Sequence, residues 1–147
     1  MPDRNRYRYS GFIATDTYDE ATDILYLRPA RSSRHSDEER PLAEILKDDI
    51  AGEWVSASYY VCNRRCSLPE AQKSLVRQLS GLVDATFGAR YSEITGYLWT
   101  DEEVNIGGHD LIEELYAHAG KYLILIVTVE SAPKDGSLQQ FPRYQRR

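Results

Sequence analysis

Two stretches of this chain repeat one another in outline. Tyr18-Asp19-Glu20-Ala21-Thr22-Asp23-Ile24-Leu25 aligns with Tyr91-Ser92-Glu93-Ile94-Thr95-Gly96-Tyr97-Leu98 at an offset of 73, sharing Tyr, Glu, Thr and Leu. Leu42-Ala43-Glu44-Ile45-Leu46 then aligns with Leu111-Ile112-Glu113-Glu114-Leu115 at 69, and Gly52-Glu53-Trp54-Val55 with Gly120-Lys121-Tyr122-Leu123 at 68. The falling offset puts the length differences in connections, above all residues 29–40 against 100–110, where loops absorb them. The period exceeds that of a solenoid and there are only two copies, so the pattern reads as a duplicated half-domain with approximate two-fold symmetry. Residues 9–66 form the expected first half, 67–83 a linking helix and 84–130 the second half of one domain. Residues 1–8 and 131–147, rich in Arg, Pro, Ser, Gln and Gly, are expected to be flexible tails.

Each half predicts one or two strands, a loop, a short helix and a strand. Residues 121–130 hold the near-continuous apolar run Tyr-Leu-Ile-Leu-Ile-Val-Thr-Val, which predicts a central, covered strand, and Tyr91 to Thr100 carries strand-forming residues. Leu111, Ile112, Leu115 and Ala119 recur at helical spacing behind Asp110-Leu-Ile-Glu113, a capping-box pattern, with Gly120 as the stop. Pro41, then Leu42, Ile45, Leu46 and Ile50, then Gly52 repeat that helix, and a strand from Trp54 to Cys62 follows. Ser67-Leu-Pro-Glu70 begins the linking helix, with Leu68, Ala71, Leu75, Leu79 and Leu82 as its stripe, and Tyr9 to Thr17 predicts an edge strand. The expected architecture is α+β: a mainly antiparallel sheet of about five or six strands, with helices on one face.

Charge is unevenly spread. The net charge is −5, but residues 1–9 carry +2 and residues 134–147 carry +3, leaving −10 for the body between them. An acidic body repels nucleic acid and favours basic protein surfaces, so nucleic acid is a disfavoured main partner. The alternative runs through the ends, where Arg4, Arg6, Arg8, Arg143, Arg146 and Arg147 interleave with tyrosine in the manner of single-strand binders. No apolar run approaches the ~20 residues of a membrane helix, and no apolar stretch follows the first arginines. A cytoplasmic chain without a membrane partner is the expectation. The only two cysteines, Cys62 and Cys66, lie in Cys-Asn-Arg-Arg-Cys; with three histidines in all they make a poor zinc set, and two free thiols at a strand end are the favoured reading over a redox pair. No metal and no cofactor are expected.

The densest polar stretch is the connection from Trp99 to Asp110, with Asp101, Glu102 and Glu103 in succession, then Gly107, Gly108, His109 and Asp110. Two chemistries fit it. Trp99, Asp101, Glu102, Glu103 and His109 can present carboxylates beside an aromatic to arginines of a protein partner. Alternatively, Gly107, Gly108, His109 and Asp110 form a corner for an anionic metabolite, a metal or a general base. Against that alternative, Asp110 and Glu113 already place negative charge there, and no nucleophile elbow, His-Glu-x-x-His or phosphate loop occurs anywhere. Eleven tyrosines add contact area, some of Tyr59, Tyr60, Tyr97, Tyr116 and Tyr122 being expected to face outward. The mixed-charge segment from Arg28 to Arg40 sits opposite the acidic segment in the repeat, a contrast that suits self-association as a homodimer.

Leu98-Trp99-Thr100-Asp101-Glu102-Glu103, Gly107-Gly108-His109-Asp110-Leu111 and Gly120-Lys121-Tyr122-Leu123 together resemble a widespread group of small uncharacterised proteins of phages and mobile elements. The likeness spans roughly residues 91–130 and brings no catalytic residues with it. It implies a setting in which small acidic proteins bind and block a host component, as anti-CRISPR and other anti-defence inhibitors do. The expected function is therefore a non-catalytic protein-binding module acting through an acidic surface.

Overall fold

The structure is a computed structural model, and it describes residues 5–18, 22–31, 39–91, 93, 94, 96 and 98–130. Their order is β1 (Arg6–Tyr18), β2 (Thr22–Arg28), α1 (Leu42–Ile50), β3 (Trp54–Cys62), α2 (Leu68–Ala71), a 3-10 turn (Gln72–Ser74), β4 (Leu75–Tyr91), β5 (Leu98–Ile106), β6 (His109–Asp110), α3 (Leu111–Tyr116) and β7 (Tyr122–Glu130). All strands join one antiparallel sheet in the order β2-β1-β7-β3-β4-β5-β6. The fold is α+β, as expected.

β7 is central for the reason its composition indicates. Leu123, Leu125 and Val127 point to one face and Tyr122 and Ile124 to the other, and all five are buried. On the concave face α1 and α3 fill the sheet: Leu42, Ala43, Leu46 and Ile50 meet Leu111, Ile112 and Leu115 over Val55, Ala57 and Val104. The sheet curls until its two ends approach, and the Leu25 N–H of β2 donates to the Glu102 carboxylate of β5 at 3.1 Å. On the convex face α2 covers a smaller cluster of Phe12, Ala71, Tyr122 and Ile124.

With the two-residue β6 set aside, which has no counterpart in the first half, exchanging β1, β2, α1 and β3 with β4, β5, α3 and β7 makes the sheet order read the same in reverse. The β3 and β7 strands pair with Trp54 opposite Glu130 and Cys62 opposite Tyr122, so Ser58 and Ile126 meet at the centre. Both long strands change partners partway. Arg6 to Phe12 of β1 pair with β7 and Phe12 to Tyr18 with β2, while Leu75 to Leu82 of β4 pair with β3 and Val83 to Tyr91 with β5. Each bends at a glycine of positive φ, Gly11 (φ 152) and Gly81 (φ 143). Beyond each bend, Ile13 exchanges backbone hydrogen bonds with Gly120 and Lys121, and Val83 with Gly52 and Glu53, at 2.7–2.9 Å.

Several expectations are corrected. The linking helix 67–83 is helical only over Leu68–Ala71; Leu75 opens a strand that runs through the expected boundary at 84. The leucine stripe misled because alternation competes with it: Leu79, Gly81 and Val83 face inward, while Leu75 and Leu82, counted as helix core, are 43% and 48% exposed. A strand there gains neighbours on both sides, and backbone pairing outweighs a weak helical stripe containing Ser80 and Gly81. The helices do not share one face, because α2 packs opposite α1 and α3. The described strands number seven, and β1 is no edge strand, lying between β2 and β7. Arg6 to Arg8, expected in a flexible tail, pair with β7; residues 1–4 and 131–147, with Arg4, Arg143, Arg146 and Arg147, lie outside the described residues.

Candidate functional site

The expected acidic connection is a strand. Residues 98–106 pair along β4, with Trp99 opposite Arg90, Asp101 opposite Gly88 and Glu103 opposite Thr86. Because side chains of a strand alternate, the three consecutive carboxylates separate. Asp101 and Glu103 point outward and are exposed, as is Asp84 near Glu103 on the neighbouring strand. Glu103 accepts a hydrogen bond from the Asn105 amide at 2.7 Å. Glu102 points inward and is a structural bridge: it accepts from the Leu25 N–H at 3.1 Å and from the Tyr116 hydroxyl at 2.5 Å. It thereby ties β2, β5 and α3 together.

The Gly-Gly-His-Asp corner is likewise divided. Gly107 and Gly108 turn β5 into β6, and Gly107 lies against the Ser80 carbonyl so closely that a Cβ would stand 2.1 Å from its oxygen. Asp110 caps α3, accepting from the Ile112 N–H at 3.1 Å, and also accepts from the Val104 N–H at 3.2 Å. Its carboxylate occupies the place an anionic ligand would take, and α3 has only six residues.

His109 enters a network that its sequence neighbourhood does not reveal. The Arg77 guanidinium of β4 lies 3.0 Å from His109 Nδ1 and 3.1 Å from Glu114 Oε2, and Tyr59 of β3 donates to Glu114 Oε1 at 2.8 Å. The Tyr59 ring meets His118 edge-on at 6.4 Å, so both histidines border one chain of contacts. Burial first, and the bond to Glu114 second, push the Tyr59 phenol far above the ordinary tyrosine range. Arginine only donates, so in this contact Nδ1 stands as the acceptor. A general-base histidine needs the reverse: a carboxylate on Nδ1–H that steadies the imidazolium. This network orients side chains across β3, β4 and α3, and among the described residues it sets an arginine, not a carboxylate, against His109 Nδ1.

Sequence reasoning named His109 but missed Arg77, Glu114 and the interior place of Tyr59, since the three come from three different elements. Of the tyrosines expected to face outward, Tyr59 and Tyr122 are buried, Tyr60 and Tyr116 are half-buried, and Tyr97 lies outside the described residues. Among the described residues no group of three or more His, Cys, Asp or Glu side chains is placed to hold a metal, and no helix is long and apolar enough to cross a membrane. Comparison with protein families, curated proteins and solved structures finds no match for this chain.

Proposed function

We propose that this chain is a non-catalytic protein-binding module, an inhibitor of phage or mobile-element type, that engages a basic surface of a host component through the outer face of β4 and β5. The observation carrying this reading is the division of the carboxylates. Asp101 and Glu103, with Asp84 beside them, project from an exposed sheet face, whereas Glu102 and Asp110 are committed to backbone N–H groups that hold the fold. Like charges gathered on a rigid sheet cost little to keep solvated and orient an incoming arginine-rich surface quickly. The resemblance of residues 91–130 to small phage proteins supports the same setting. The two β-β-α-β runs are, in this reading, copies of one ancestral unit, supported by the exchange of elements in the sheet order and by glycine at both bends.

The test is affinity capture from nuclease-treated bacterial lysate, comparing the natural chain with the double variant Asp101→Lys and Glu103→Lys. The natural chain retains a protein partner in stoichiometric amount; the double variant loses it while its thermal melt is unchanged. Equal capture by both chains removes this face from the account.

A further inference from the structure

The polar feature that the acidic face does not use lies at the other end of the sheet. β3 ends at Cys62, the chain turns through Asn63, Arg64 and Arg65, and Cys66 precedes the capping box by which Ser67 and Glu70 start α2. The turn brings the two sulfurs into contact at 2.7 Å, both thiols being partly exposed. This is closer than two non-bonded sulfurs ordinarily pack. Three arginines lie in this turn or against it. Arg31 donates to the carbonyls of Gly120 and Asn63 and stacks over the Phe12 ring at 4.8 Å; Arg65 donates to the Pro29 carbonyl at 2.6 Å and lies 5.9 Å from the centre of the Tyr122 ring. Arg64 acts electrostatically on Cys66, as does Glu70 with the opposite sign, and Lys121 is exposed beside Gly120.

We propose that Cys62 and Cys66 form an oxidative modification site, a dithiol converted to an intramolecular disulfide by exchange with an anionic low-molecular-weight disulfide of the glutathione type. One thiolate of the pair attacks a sulfur of the small disulfide, breaking its S–S bond and expelling one small thiolate. The neighbouring thiolate then attacks the protein sulfur of the mixed disulfide and expels the second. The protein pair loses two protons and two electrons, and the small disulfide is reduced to two thiols. Three features favour the step: the contact between the sulfurs, the access given by their partial exposure, and the guanidinium groups that attract an anionic reagent. Burial, and next the contact with Cys62, push the Cys66 thiol up to about 11, so it is held as the neutral thiol near neutral pH. Oxidation is accordingly slow at neutral pH and quickens as the solution becomes alkaline. The disulfide closes the turn carrying Arg64 and Arg65 and fixes α2 on the convex face.

The experiment equilibrates the reduced, folded chain with mixtures of reduced and oxidised glutathione, quenches in acid, alkylates the remaining thiols and reads the 62–66 peptide by mass. The same titration is run on the chain in guanidinium, where proximity is lost. The expected result is a Cys62–Cys66 link in the folded chain, with an effective thiol concentration roughly tenfold or more above that of the unfolded chain. Equal values in the two states, a stable glutathione adduct in place of the link, or links between molecules would overturn the site. Initial rates are also compared with cystamine, a cationic disulfide. Oxidised glutathione is expected to react faster at low salt, and the opposite order would overturn the anionic class of reagent.

Discussion

The two β-β-α-β runs bend their long strands at corresponding places but close the corner on different partners. In the first run Gly11 faces the next strand of its own hairpin, where an added Cβ would lie 3.0 Å from the Arg28 carbonyl oxygen and 3.0 Å from Leu27 Cβ. In the second run Gly81 faces Gly107, and an added Cβ would lie 2.6 Å from the Gly107 Cα and 2.8 Å from its nitrogen. The first corner is close without overlap: its contacts, two of them with Arg28 backbone atoms, stand at 3.0–3.1 Å, so the neighbours need give only a few tenths of an ångström. The second is backbone against backbone, followed at once by β6 and α3. A shared topology therefore tolerates one loose and one tight corner, and the tight one carries the segment that places the acidic face.

The sharpest way to break this comparison is to put a methyl group at both corners. Both positions have a φ that L-residues rarely adopt, so each Gly→Ala change carries that strain. At Gly81 a backbone shift is needed as well. Gly81→Ala is expected to destabilise the chain by about 3 kcal/mol or more, against about 1–2 kcal/mol for Gly11→Ala. Urea unfolding measures both, and equal losses would show that the two corners pack alike.

A second contrast lies within the acidic strand. Glu102→Ala leaves the Leu25 N–H and the Tyr116 hydroxyl without that carboxylate and loosens the junction of β2, β5 and α3, so about 2 kcal/mol is expected. Glu103→Ala removes an exposed side chain whose one bond is to Asn105, and its effect should stay within about 0.5 kcal/mol. Urea midpoints separate the two. Similar effects from both substitutions would contradict the alternation that assigns one carboxylate to the fold and the other to a partner.

These contrasts show what a linear reading could reach. The helices 42–50 and 111–116 and the strands 54–62 and 122–130 were legible because each has one strong period and a clear stop. The β4 strand was not: leucines at 68, 75, 79 and 82 satisfy a helical spacing, and the alternation that wins becomes visible only when Gly81, Val83, Ala85 and Phe87 are read with Leu79. Treating 99–110 as a loop had the same origin, since consecutive acids look like solvated coil until a partner strand supplies hydrogen bonds. The pairing of Arg77 with His109 and Glu114 depends on β4 lying between β3 and β5 while α3 packs over β5, a long-range arrangement that no local spacing encodes.

The smallest expected effect concerns a place where the two runs differ in chemistry. β7 ends at Glu130 where β3 ends at Cys62, so only the first run continues into a thiol turn. In the reduced protein the Cys66 thiol is pushed from the ordinary 9.0 up to about 11, by burial first and the contact with Cys62 second; Glu70 acts in the same direction and Arg64 against it. A thiol whose folded value exceeds its unfolded value keeps its proton longer in the folded state. Its contribution is therefore complete below pH 9 and is lost as the pH rises from about 9 toward 11. Tyr9 and Tyr59, raised by burial and by bonds to Asp49 and Glu114, add a similar loss once unfolded tyrosine ionises near pH ~10. The Cys66 part is isolated by comparing the reduced natural chain with Cys66→Ser between pH ~8.5 and ~9.5, before tyrosine dominates. The natural chain should lose urea stability across that window while the variant stays flatter. Parallel curves would mean that the thiol turn is no more constrained in the folded chain than in the unfolded one, and the two strand ends would then differ in sequence alone.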